Sequence, residues 1–125
     1  MTGASNSDLN SILEMRADVT FAGLVLKGKP LQMQLRPGVP MPSENDMQRM
    51  LLQVEMFSSM ISTNEKVAGE TQFILISHSN VKVLIVPLVA NNNNNTGKTL
   101  VVTFTQFKGI ESLVRLILER AKTLK

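Results

Sequence analysis

Two neighbouring segments of the chain carry apolar side chains at successive positions as well as at alternate ones. The first segment, residues 71–77, contains Phe73-Ile74-Leu75-Ile76, and the second, residues 81–86, contains Val83-Leu84-Ile85-Val86. Aromatic and β-branched residues favour strands, and a strand that is apolar on both sides must be covered on both faces. The sequence therefore predicts a sheet that lies between two layers of helix.

Turn residues divide the strand segments into hairpins. His78-Ser79-Asn80 connects residues 71–77 to residues 81–86, and Lys27-Gly28-Lys29-Pro30 connects residues 19–26 to residues 31–36. In the strand at residues 31–36, apolar and polar residues alternate, which predicts Leu31, Met33 and Leu35 on the core side and Gln32 and Gln34 facing solvent. Five consecutive asparagines, Asn91 to Asn95, predict a polar loop before a fifth strand at residues 99–105.

Three helices are expected between and around these strands. Ser7 is a candidate N-cap for a helix from Asp8 to about Ala17. Ser43 with Asp46 resembles a capping box at the start of a second helix. An apolar stripe from Ile110 to Ala121 predicts a third helix that ends among Arg120, Lys122 and Lys125. The predicted fold class is α+β, a five-stranded antiparallel sheet flanked by helices in the order α-β-β-α-β-β-β-α.

Composition excludes several classes of function. The 125 residues are 43% hydrophobic and 18% charged, which is a globular balance. The absence of cysteine excludes disulfide scaffolds, thiolate metal sites and cysteine nucleophiles. With no secretory pattern at Met1 and no apolar run of about 18 residues, we expect a cytoplasmic protein without a membrane partner. The net charge of +3 comes from dispersed lysines and arginines without interleaved aromatics, which disfavours nucleic-acid binding.

No catalytic, metal-binding or cofactor-binding residue is predicted. Gly97-Lys98-Thr99 matches the end of a phosphate-binding loop, but Asn92 replaces the required upstream glycine and a strand is expected to follow. His78 adjoins two serines in a turn, where sequence neighbours rarely face each other as a catalytic pair needs. We therefore expect a protein that is not an enzyme and that binds no cofactor.

Four stretches of the sequence are distinctive in combination: Val19-Thr20-Phe21-Ala22-Gly23-Leu24-Val25, Arg36-Pro37-Gly38, the run from Glu44 to Leu51, and Val86-Pro87-Leu88. With these stretches, the order of elements resembles the roadblock (dynein light chain) family, and the local sequence is similar to small archaeal roadblock-like proteins. The resemblance covers about Asp8 to Ala121 and predicts one roadblock-like domain over residues 8–125 after a flexible N-terminus at residues 1–7. It implies an edge position for strand three, with helix two on one face, and pairing of two copies through these elements. It also implies a role as scaffold or regulator of Ras-like GTPases or motor complexes.

The residues themselves also indicate a pairing surface. A strand as apolar as residues 73–76 aggregates at an edge unless it is covered or paired, and flexible methionines on helix two suit an adaptable interface. The same methionines could instead fill the core. We predict a homodimeric protein-interaction module, with a small Ras-like GTPase as candidate partner; the alternative is a small-molecule sensor with a pocket between sheet and helix. The predicted interface residues are Met47, Met50, Val54, Phe57, Ile61, Phe73, Ile74, Leu75 and Ile76.

Overall fold

A computed structural model describes residues 6–89 and 95–124 of the chain. The predicted order of elements is confirmed, with one additional short helix after the second. The predicted flexible N-terminus and asparagine loop lie mostly outside the described residues, and the single domain over residues 8–125 remains a prediction. The elements are α1 Asn6–Leu13, β1 Val19–Leu26, β2 Lys29–Leu35, α2 Glu44–Ser62, α3 Glu65–Ala68, β3 Ile74–Ser77, β4 Lys82–Val89, β5 Asn95–Phe104 and α4 Ile110–Ala121.

The five strands form one antiparallel sheet in the order β2-β1-β5-β4-β3. Both predicted hairpins are present, because β1 pairs with β2 and β3 pairs with β4. The last strand, β5, lies in the centre between β1 and β4. Strands β2 and β3 therefore form the two edges of the sheet.

Side chains from the two faces of the sheet enter two separate apolar clusters, as the pattern of residues 73–86 predicts. On one face, Ala22 and Val102 pack beneath α1 and α4 together with the large buried side chains Phe104 and Ile117. On the other face, α2 is the helix of the described residues that covers a smaller cluster of buried side chains. That cluster consists of Phe21, Val25, Leu51, Val54, Ile85 and Val101.

Strand β2 departs from the predicted alternation. A bulge lies where the register with β1 shifts between Leu24 and Val25, and Leu31 is the extra residue on β2. Its side chain is 46% exposed, whereas Met33 packs against the cluster under α2. Gln32, which pairs with Leu24, is half-buried on the α1 and α4 side instead of facing solvent. The prediction was therefore wrong for Leu31 and for the glutamines.

The helix ends follow from specific hydrogen bonds. Helix α1 runs from Asn6 to Leu13. It ends earlier than predicted because the Arg36 guanidinium donates hydrogen bonds to the carbonyl oxygens of Leu13, Arg16 and Val19. At the start of α2, the Ser43 hydroxyl oxygen accepts from the Asp46 amide at 3.1 Å, as the predicted N-cap requires. Gly69 follows α3 with φ of 89° and donates its amide to the Glu65 carbonyl oxygen.

Two strands extend beyond their predicted limits. Strand β5 starts at Asn95, four residues early, because Lys98 and Thr99 pair with the end of β1 and Asn95 pairs with Val89 of β4. Strand β4 runs through Pro87, which has no amide to donate. The ladder with β3 begins at the pair Ile74 and Ile85, so no β3 residue faces Pro87 and no ladder bond is lost.

A partly buried ion pair joins the loop before β1 to the loop after β5. The Asp18 carboxylate accepts from Arg16 Nε at 2.5 Å and from the backbone amides of Thr105 and Gln106 at 3.1 and 2.7 Å. Arg16 also lies over the Phe104 ring, with 5.5 Å between Cζ and the ring centroid. The Arg16 guanidinium, helped by the two amides, lowers the pKa of Asp18 to about 2. This contact fixes both chain segments at one end of the sheet.

Candidate docking surface on the third strand and second helix

The outer side of β3 has backbone groups that face away from the sheet. The His78 amide donates to the Val81 carbonyl oxygen at 2.9 Å. Because every second residue of an antiparallel strand is hydrogen-bonded to the same neighbouring strand, the other β3 residues bonded to β4 are Ile76 and Ile74. The amide and carbonyl groups of Leu75 and Ser77 consequently point outward. Because β3 is the edge of the sheet, these groups are available to another strand.

The side chains of β3 divide between the two faces of the sheet. Ile74 and Ile76 pack against the cluster under α2, and both remain half-exposed. Leu75 packs on the opposite face, against the cluster under α4. Phe73, immediately before the strand, is 39% exposed on that same face, beside Leu75. The apolar surface at this edge thus wraps around both sides of the strand.

Most of the predicted α2 residues face the sheet of their own subunit. Val54 is 1% exposed, and Met47, Met50 and Phe57 are partly buried against the same cluster. These methionines therefore fill the core beneath α2, one of the two roles predicted for them. The side chain of Ile61 lies outside the described part of the structure. Whether these residues also contact a second molecule remains a prediction.

The outer face of α2 carries a second apolar stripe. Leu52, Met56 and Met60 follow one another at intervals of four residues and are 60%, 54% and 62% exposed. We call these three residues the outer α2 stripe. Leu52 is absent from the predicted interface, although its spacing from Met56 and Met60 was visible in the sequence. A helix that is apolar on both sides is typical of one that contacts a partner.

This surface has few charges. Residues 73–77 contain no ionisable side chain, and Glu55 is the only one between Met50 and Ser62. Lys82, at the end of the β3–β4 hairpin, is 7% exposed because its ammonium group donates to the carbonyl oxygens of His78 and Ser79 at 2.7 and 3.4 Å. Depletion of charge at the centre distinguishes protein interfaces from the rest of a protein surface.

Two apolar grooves border these elements, one beside α2 and the other beside β3. The larger, about 690 Å³, lies between the β1–β2 turn, the proline-containing loop and the first half of α2, and includes Met33, Met41 and Leu52 with Glu44 and Glu55. The smaller, about 300 Å³, lies between β3 and α4. It is lined by Phe73, Leu75, Ile110, Glu111, Val114, Arg115 and Leu118.

The sequence motifs with catalytic resemblance occupy structural positions. Gly97, Lys98 and Thr99 lie inside β5, so no helix follows them to bind phosphate at its N-terminus. His78 is exposed in the β3–β4 turn. Among the described residues there is no group of three histidine, cysteine or acidic side chains able to hold a metal ion. Within the same ranges, no helix combines the length and hydropathy that a bilayer span requires.

This chain is similar to known proteins in its three-dimensional structure. No family model matches the sequence, and no curated protein matches it. The fold, in contrast, matches solved structures over nearly the entire chain.

The gliding protein MglB from Thermus thermophilus matches with a TM-score of 0.76 and 13% identity, over 95% of this chain and 84% of that one. A structure described as MglB with tetrameric arrangement matches with a TM-score of 0.75 and 15% identity, over 94% and 82% of the two chains. A Roadblock/LC7 domain from Streptomyces avermitilis matches with a TM-score of 0.72 and 10% identity, over 94% and 92%. Together with the sheet order and the helices on both faces, these similarities show that this chain has the roadblock fold.

Proposed function

We propose that the chain is a cytoplasmic, non-enzymatic protein-interaction module that forms a homodimer through β3 and α2. One observation carries the proposal: β3 is an edge strand whose apolar residues 73–76 carry no charge and are only partly covered by the subunit itself. Pairing two β3 strands would satisfy the outward backbone groups of Leu75 and Ser77 and shield their apolar neighbours. The tetrameric arrangement of one structural neighbour supports self-association as a property of this fold.

The dimer would present a composite surface to a further protein. Two copies of α2 would lie on the same side of a continuous sheet, and the roadblock resemblance suggests a small Ras-like GTPase as the protein they bind. Methionine side chains adapt to partners of different shape, which suits such a platform. The parts of the outer α2 stripe that dimerisation leaves exposed would contribute to this contact.

Sedimentation tests the dimer directly. At micromolar concentration the chain should sediment at twice its subunit mass of 13.8 kDa. Ile74→Lys places a charge at the half-exposed edge and should shift the mass to that of one subunit. The matched control is Leu116→Lys, which changes a 51% exposed leucine on the outer side of α4 and should leave the dimer intact. A wild-type chain that remains monomeric at about 100 µM, well above the micromolar dissociation constants of weak specific complexes, would refute the proposal.

The partner class needs a separate experiment. Wild-type protein and a Phe73→Lys variant would be immobilised and exposed to extract from the source cell with either GDP or a non-hydrolysable GTP analogue. Retention of a GTPase by wild type, and its loss or marked reduction with the variant, is the expected result. Equal retention by both proteins would place GTPase binding away from the dimer surface.

The groove of about 690 Å³ favours the alternative function, a sensor of small apolar molecules. Its volume falls in the range of small-molecule sites, and apolar side chains form most of its lining. Native mass spectrometry of freshly purified protein decides between the two functions, since a sensor retains a defined small molecule. A mass equal to that of the polypeptide alone, without added ligand, in every preparation would leave the interaction module as the better description.

A further inference from the structure

The groove of about 300 Å³ lies on the side of β3 opposite α2, so the third strand has an apolar concavity of its own beneath α4. Its strand side is formed by Phe73 and Leu75. Its helix side includes the exposed ion pair of Glu111 and Arg115, in which Arg115 Nη2 lies 3.2 Å from Glu111 Oε1. One acidic and one basic group beside an apolar centre make this patch complementary to a copy of itself. A second copy of the chain therefore suits it better than a partner of one charge sign.

Strand geometry limits how two copies can meet here. Residues that face each other across an antiparallel ladder point to the same side of the sheet, so their numbers differ by an even amount when both strands are β3. One residue must therefore lie on the two-fold axis, opposite its own copy. The possible axis residues within the apolar edge are Ile74, Leu75 and Ile76.

Two of these three choices conflict with contacts inside the subunit. With Ile74 on the axis, Thr71 would face Ser77 of the second copy, but the Thr71 amide already donates to Glu65 Oε2 at 3.0 Å. With Ile76 on the axis, Phe73 would face Ser79, which lies in the β3–β4 turn that Lys82 closes. With Leu75 on the axis, residues 73–77 pair only with residues 73–77.

The sequence around Leu75 is also symmetric in character, since an isoleucine stands on each side of it. With Leu75 on the axis, Ile74 of each copy faces Ile76 of the other, so two equivalent isoleucine pairs lie on the α2 side of the sheet. On the α4 side, the two Leu75 side chains meet between the two grooves. The outward backbone groups of Leu75 and Ser77 then both find partners, Leu75 with its own copy and Ser77 with Phe73 of the second copy.

We propose that two copies pair through β3 with Leu75 on the two-fold axis, and that the apolar side chains meeting there close the groove beneath α4. This inference rests on the proposed homodimer and adds its register and a second contact face. The interface then includes both sides of the sheet, with α2 on one side and Leu118 and its neighbours of α4 on the other.

Single cysteines report the register, because the natural chain has none. A disulfide needs Cα atoms within about 7 Å, and directly opposed residues in an antiparallel pair are about 4.5 to 5.5 Å apart. Under mild oxidation, Leu75→Cys alone should form covalent dimers. Ile74→Cys alone and Ile76→Cys alone should not, whereas an equal mixture of these two variants should give the mixed dimer. Each variant is first shown to sediment as a dimer under reducing conditions.

The other outcomes separate the register from the dimer. Efficient cross-linking of Ile74→Cys alone or Ile76→Cys alone in a sedimenting dimer would move the axis and overturn the proposed register while leaving the homodimer standing. A dimer that none of these cysteines cross-links would show that the copies meet elsewhere. A chain that sediments as a monomer would remove both proposals together.

Protection of α4 tests closure of the groove. A cysteine in place of Leu118 should react with a maleimide reagent at least about fivefold more slowly in the dimer than after dilution to monomer, since burial restricts access to the thiol. Leu116→Cys, on the outer side of α4, should react at the same rate in both states. Equal rates for Leu118→Cys in both states would confine the dimer to the α2 side.

Discussion

The buried Asp18 carboxylate gives a quantitative prediction for stability. Its side chain is 7% exposed and accepts hydrogen bonds from Arg16, Thr105 and Gln106. These contacts lower the pKa of Asp18 from 3.8 to about 2 in the folded chain. A carboxyl that is more acidic in the folded state stabilises that state above its unfolded pKa, and the stabilisation disappears as pH falls through the folded pKa.

The magnitude follows from the two pKa values. The difference of about 1.8 between them corresponds to about 2.4 kcal/mol of stability at neutral pH. By the same relation, about 1.3 kcal/mol remains at pH 3 and about 0.4 kcal/mol at pH 2. Asp18→Asn keeps one acceptor oxygen but turns an amide donor toward Arg16. The variant should therefore be less stable than wild type by about 2 kcal/mol at pH 7, and the gap should narrow mainly between pH 4 and pH 2.

Urea unfolding followed by far-ultraviolet circular dichroism measures the free energy of unfolding of wild type and variant at each pH. All samples are kept at one protein concentration, because association also affects the midpoint. Glu119→Gln is the control. This carboxylate forms an exposed pair with Lys122 at 2.8 Å, so its loss should hardly change the midpoint at any of these pH values. A loss below about 0.5 kcal/mol for Asp18→Asn at pH 7, or a gap that stays constant down to pH 2, would refute this account of the loop contact.

Two further substitutions test the packing beneath α2. Leu51→Ala should lower the free energy of unfolding by about 2–5 kcal/mol, because this side chain is only 7% exposed and belongs to the smaller cluster. A loss below about 1 kcal/mol in a urea titration would contradict a core role for Leu51. Gly23→Ala would place a Cβ 2.7 Å from Phe21 Cζ and should cost about 1–3 kcal/mol, with a Phe21→Leu/Gly23→Ala double variant recovering part of that loss.

Hydrophobic pattern and turn chemistry predicted the architecture, and local contacts decided the limits of its elements. The successive apolar residues of β3 and β4 required helices on both faces, and α4 matches its predicted stripe from Ile110 to Ala121. The early end of α1 depends on Arg36, which is distant in sequence, and the exposure of Leu31 depends on a bulge in the ladder with β1. Interactions of this kind involve residues far apart in the chain, which periodicity does not detect.

The candidate docking surface was predictable in location but only partly in its residues. The roadblock resemblance implied an edge position for strand three, and the structure places β3 at an edge. Helical periodicity identified two apolar sides of α2 but could not say which one faces the sheet. The structure assigns Val54 to the sheet side and Met56 to the solvent side. That assignment depends on the rotation of α2 over β1 and β5, which is a tertiary property.

Strand β3 is only four residues long, and this length limits how much the backbone hydrogen bonds of an added strand can contribute to binding affinity. An incoming strand finds only a few outward amides and carbonyls before the buried Lys82 and its turn end the ladder. Affinity must then come from side chains on the two faces, while the backbone mainly sets alignment. In the proposed dimer, so short a ladder would disfavour continued strand-by-strand growth into fibrils and would let the two subunits separate and pair again.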